Sequence, residues 1–214
     1  MLVRDLSTRG VAVKWIAHIG KSTAAANPRP RHLARLLAPP GSRTVAVAAT
    51  AGCWALLALH LRADPALPAY FYLAGLGVTL ARIDSEQQRL PDALTLPAYP
   101  ITVGLLTAAA LAGSRSGSLP PALLGGAAMV VVYAGIRLIH PSGMGLGDVK
   151  LAGVLGVAAA WLGWDSWTLA LLAPFLLGTA GSLLLLARRR AGLRTQLPFA
   201  PYMLTGTLLA VLCT

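Results

Sequence analysis

Apolar residues in this chain come in long unbroken stretches and not in the every-second-position alternation of a half-buried strand. From Thr44 onward such runs fall at about 44–61, 68–83, 93–113, 120–139, 149–164, 166–187 and 197–213, divided by short polar punctuation. They exceed strand length and lack alternation, so each predicts a helix. Several, 149–164 among them, are shorter than the roughly 20 residues that cross a typical hydrocarbon core, so the boundaries are loose. The pattern predicts an all-α, polytopic transmembrane helical bundle of about seven crossings.

Ahead of the first run lies a different kind of sequence. Residues 1–43 carry eight basic side chains, from Arg4 to Arg43, and are broken by Asn27-Pro28-Arg29-Pro30 and Pro39-Pro40-Gly41. Two pieces, 11–19 and 32–37, set apolar residues at helical spacing beside basic ones. They read either as interfacial helices or as parts of a disordered basic tail. No small-residue cleavage site follows the first apolar run, which is therefore expected to stay as an anchor. The expected organisation is a basic cytoplasmic leader, 1–43, followed by a transmembrane domain, 44–214.

Composition narrows the class. The 214 residues are 56% hydrophobic and 12% charged, with a formal net charge of +11. A soluble domain carries about 25% charged residues, so half that share does not coat a soluble surface. If the leader is cytoplasmic, every Lys and Arg except Arg62 and Arg115 falls on the cytoplasmic side. That asymmetry is the signature of retention beside anionic lipid and predicts a cytoplasmic N-terminus. Membrane lipid is thus the expected partner of the positive charge, and no nucleic acid is. The two cysteines, Cys53 and Cys213, sit in apolar runs without a CxxC pair, and no two of the four histidines have helical ligand spacing. No metal and no cofactor are expected.

The seven acidic residues carry the candidate chemistry. Asp5 lies in the leader, and Asp64 and Asp165 are expected as solvated carboxylates in outside turns. Asp92 follows Leu90-Pro91 at the position of an N-cap. Asp148 follows Gly143-Met144-Gly145-Leu146-Gly147, whose glycines permit close backbone approach; cap and reactive group are both open readings there. Asp84 ends an apolar helix, where the helix dipole favours a cation. Two crossings separate Asp84 from Asp148, which returns both to the cytoplasmic boundary. Paired carboxylates there suit peptide hydrolysis, the ionised one activating water while the protonated one polarises the carbonyl. A transmembrane proton relay uses such pairs as well, but relay groups line a pathway, and the other crossings hold no acidic partner.

Three segments together resemble the type IV prepilin peptidases. Residues 82–97 (RIDSEQQRLPDALTLP) look like the first signature of that family and 143–151 (GMGLGDVKL) like its glycine-x-glycine-aspartate segment. Residues 197–202 (LPFAPY) are similar to its C-terminal segment, with Ala200 in place of the usual glycine. The resemblance implies an aspartic intramembrane endopeptidase of the bacterial inner membrane that removes the basic leader from prepilin or pseudopilin substrates at the cytoplasmic face. By position Asp84 and Asp148 match the catalytic aspartates, Gly145 and Gly147 the glycines of the motif, and Lys150 the lysine that often follows. Bifunctional members carry cysteine pairs in an N-terminal region associated with methyl transfer. Residues 1–43 hold no cysteine, so only the peptidase activity is expected. The competing expectation is a non-catalytic transporter or pilus-assembly scaffold that uses the same carboxylates.

Overall fold

Each apolar run forms a helix, and prolines mark where several of them start. In a computed structural model the described residues are 40–140, 144–188 and 198–214. They form α1 (Pro40–Leu61), α2 (Leu67–Gln87), α3 (Asp92–Leu111), α4 (Leu119–Ile139), α5 (Leu146–Leu162), α6 (Trp164–Ala187) and α7 (Ala200–Cys213). Pro68, Pro120 and Pro201 occupy the first turns of α2, α4 and α7, where a missing N–H costs no hydrogen bond. The chain divides into two units, Met1–Thr44 and Val45–Thr214. The readings made for the leader, including 11–19 and 32–37, and those for Gly143 and Leu197, lie outside the described residues.

The fold is all-α and of membrane type. Four helical stretches are long and apolar enough to cross a bilayer: Thr44–Leu61, Asp92–Leu111, Leu119–Ile139 and Trp164–Leu184. They expose large apolar side chains such as Leu59, Leu111, Val131, Ile139 and Leu176, which suits a lipid environment. α5 has another reason to be apolar. Thirteen of its 17 residues are buried, and α3, α4, α6 and α7 all pack on it, so it is the core of the protein. The shortness of the run 149–164 follows from that enclosure.

Small residues set the closest helix crossings. A Cβ on Gly125 would stand 2.2 Å from the Ala160 Cβ, and one on Gly156 would stand 2.8 Å from the Met129 Cβ, so α4 and α5 touch almost backbone to backbone. Gly206 of α7 likewise faces Pro174, which lies inside α6.

Polar ties gather the chain at two opposite ends. At one, Asp64 accepts hydrogen bonds from the Ala66 amide (2.7 Å) and the Ser114 hydroxyl (2.8 Å). Ser114 meets Ser116, which accepts from the Trp161 indole at 2.9 Å. Asp64 therefore differs from the solvated loop carboxylate expected of it: it joins the turn before α2 to the turn before α4, because its own turn leaves an amide to satisfy. Asp165 is exposed, as its outside position suggested.

Candidate active site

The opposite end collects the two carboxylates. Buried positions of α2 recur at Leu73, Gly77, Leu80 and Asp84, so helical spacing alone puts Asp84 on the inward face, where it is 4% exposed. α2 ends one turn later at Gln88, whose left-handed backbone (φ 49°) donates its N–H to the Asp84 carbonyl at 2.8 Å. The Asp84 carboxylate does not serve its own helix. Its Oδ2 accepts the Ala200 amide at 3.0 Å, with the Phe199 amide as a second donor, so it faces the positive N-terminus of α7. This explains an acidic residue at a helix end that disfavours one.

Asp148 is the third residue of α5 and 7% exposed. Its Oδ2 reaches back to accept the Gly145 amide at 3.1 Å, the acidic half of a capping box. Gly145 has an extended backbone, and a Cβ there would stand 3.2 Å from that same oxygen. The other oxygen, Oδ1, is buried with no hydrogen-bond partner among the described residues. Arg137 donates to the Met144 carbonyl and so fastens the approach to α5.

The charge of Asp84 acts on Asp148. Both lie outside the membrane-spanning runs, Asp84 just after 68–83 and Asp148 just before 149–164. Burial pushes Asp148 from its ordinary 3.8 up to about 6, the charge of Asp84 pushes the same way, and the Gly145 amide and Arg137 oppose. Burial also raises Asp84, against the two amides of α7. One apolar cluster backs both groups, with Leu80 a turn before Asp84 and Met144 and Val149 flanking Asp148.

The supporting residues have distinct places. Gly147 lies where a Cβ would come within 2.7 Å of the Leu90 Cβ, so its lack of a side chain lets the α2–α3 connection approach α5. Lys150 pairs with Asp92 at 2.7 Å, while its carbonyl accepts the Tyr99 hydroxyl at 2.6 Å. Asp92 is the first helical residue of α3 and not its N-cap; Pro91 holds that position. The carboxylate is drawn instead to the ammonium across the gap.

Some neighbours were not singled out from sequence. Tyr133 of α4 is fully buried. Its ring packs with Phe175 at 5.6 Å and Phe199 at 6.3 Å, which ties α4, α6 and the start of α7 together behind the site. An aromatic residue inside an apolar run carries no sequence signal of such a role. Phe199 and Ala200 lay in the third similar segment, which was the available clue.

The sequence model of the type IV leader peptidase family matches residues 71–183, a stretch that includes both aspartates. The chain belongs to the type IV leader peptidase family. Among its relatives, the prepilin leader peptidase/N-methyltransferase of Pseudomonas putida is 35% identical over 143 residues, covering 63% of this chain and 46% of that one. Leader peptidase HopD of Escherichia coli is 32% identical over 146 residues, covering 65% of this chain and 89% of its own. The prepilin leader peptidase/N-methyltransferase of Burkholderia pseudomallei is 32% identical over 175 residues, covering 78% and 54%. The chain thus spans about half the length of the relatives with the double name. No solved structure matches it.

Proposed function

We propose that the chain is an aspartic endopeptidase of the bacterial inner membrane that removes the basic leader of prepilin-like substrates at the cytoplasmic face, with Asp84 and Asp148 as its catalytic pair. The observation that carries this reading is the pair itself: two buried carboxyls, the charge of Asp84 acting on Asp148, with one Asp148 oxygen that has no donor among the described residues. Two amides at the start of α7 favour negative charge on Asp84, while burial and the neighbouring charge favour a proton on Asp148. Asp84 is then the base and Asp148 the acid, although the proton belongs to the pair. Asp84 takes a proton from water as the water oxygen attacks the scissile carbonyl carbon. Asp148 gives its proton to the carbonyl oxygen. When the tetrahedral diol collapses, the C–N bond breaks, the amine leaves with the proton held by Asp84, and Asp148 recovers its own.

Gly145 and Gly147 keep side chains away from the carboxyl and from Leu90, and Lys150 positions α5 through Asp92. The mechanism asks for no metal or cofactor. The basic stretch 1–43 is assigned to the cytoplasmic membrane surface.

Co-expression with a prepilin tests the reading. Asp84→Asn and Asp148→Asn should each abolish leader removal, read by gel shift and N-terminal sequencing, while the protein still accumulates in the membrane. Continued cleavage by either variant would reject the assignment, and a transporter or scaffold would tolerate at least one of them.

A further inference from the structure

α1 is held differently from the other helices. Of its described side chains from Thr44 to Leu61 only Leu57 is buried. Trp54 stacks on Phe71 of α2 with ring centroids 5.4 Å apart and donates its indole N–H to the Phe71 carbonyl at 2.9 Å. Between this loosely packed helix and the faces of α2 and α7 runs a cavity of about 260 Å³, with α5 as part of its wall. None of the described residues that line it carries a charge.

The direction of this groove relates it to the site. On α2 its wall extends from Tyr70 through Ala74 to Ala81, about three helical turns. Ala81 precedes Asp84 by one turn. On α7 the wall begins at Pro201, next to the Ala200 amide that binds Asp84. One end of the groove therefore stops one helical turn from Asp84, a candidate catalytic carboxylate, and the other reaches Leu57 and Val211, among apolar residues. Any polypeptide whose bond sits at Asp84 and whose chain continues along the groove must be uncharged there. At that depth it must also satisfy its own backbone hydrogen bonds, which makes it a helix. The cavity is too narrow for a helix of about 10 Å diameter; it takes the side chains of one face.

We propose that the groove between α1, α2 and α7 docks the uncharged apolar helix that continues from the scissile bond of the substrate, an inference that rests on the peptidase reading above. α1 is the movable wall, and the substrate helix lies against the protein with its other face to lipid. The groove thereby selects for an apolar continuation, and it sets how far the scissile bond stands from Asp84.

Cys53 lines this groove and supplies the test. In full-length protein carrying Asp84→Asn, which keeps the substrate intact, and Cys213→Ser, Cys53 is the remaining thiol. Single cysteines are walked along the apolar segment of a prepilin, co-reconstituted in vesicles and oxidised with copper phenanthroline. The expected result is disulfide formation at positions three, four and seven apart, one helical face, with at least about a tenfold loss when Ala49→Trp fills the groove. Cross-linking without that periodicity, or none above a non-substrate membrane helix, would overturn the proposal. Pairing only with a thiol borne on a lipid acyl chain would assign the groove to lipid and overturn it too. The readout needs no turnover, so it stays interpretable if wild-type protein cleaves nothing, a failure that would strike the peptidase reading alone.

Discussion

At the scale of single residues, the two aspartates are alike in burial and unlike in what holds them. Asp84 accepts amides from the start of α7, whereas Asp148 has one oxygen on Gly145 and one without a donor among the described residues. The pKa directions translate into pH dependence. Asp148 is pushed up to about 6 from 3.8, chiefly by burial, so between those values the folded protein binds more protons than the unfolded chain, and stability falls as pH rises. The contribution is fully present below about pH 4 and lost above about pH 6, a swing of roughly 2–3 kcal/mol. Thermal midpoints of wild type should drop across that window, and those of Asp148→Asn should not. Activity follows the shared proton: kcat/KM should decline above about pH 6 as the pair loses it, while kcat holds to higher pH because bound substrate excludes more water. A flat profile from pH 5 to 8 would contradict the assignment of an acid to Asp148.

At the scale of helices, contact between α4 and α5 depends on glycine. A methyl group on Gly156 would meet the Met129 Cβ at 2.8 Å and the Gly125 carbonyl at 2.9 Å, whereas one on Gly135 would meet nothing within 4 Å. Gly156→Ala should therefore cost about 1–3 kcal/mol and lower the thermal midpoint, with Gly135→Ala as a neutral control. Lys150→Met should barely change stability, since the pair with Asp92 is half exposed, yet it should slow cleavage by loosening the start of α5. Unchanged kcat in Lys150→Met would remove the positioning role.

Helix order and number were legible in the sequence because apolar runs of that length permit little else. Both aspartates stood out in the sequence, Asp84 as a carboxylate at a helix end that favours a cation and Asp148 as a residue open to a cap or a reactive role, of which the structure shows the capping contact. What escaped was long-range or depended on contact. The amide that holds Asp84 lies 116 residues away, Asp92 traded its cap for Lys150, and α5 proved apolar through enclosure by protein.

At the scale of the molecule, the helices run between two tied ends. The end built on Asp64, Ser114, Ser116 and Trp161 links turns by direct hydrogen bonds. The other brings the close of α2, the start of α5 and the start of α7 around two carboxyls. Whether the two carboxyls form one site is decided at the groups themselves. An infrared titration of the carboxyl bands of the protein in lipid vesicles reads them directly. Wild type should show a carboxyl that titrates near pH 6. The band should vanish in Asp148→Asn and move to lower pH in Asp84→Asn, where the neighbouring charge is gone. A band in Asp84→Asn that titrates as in wild type would mean that the two groups do not form one site.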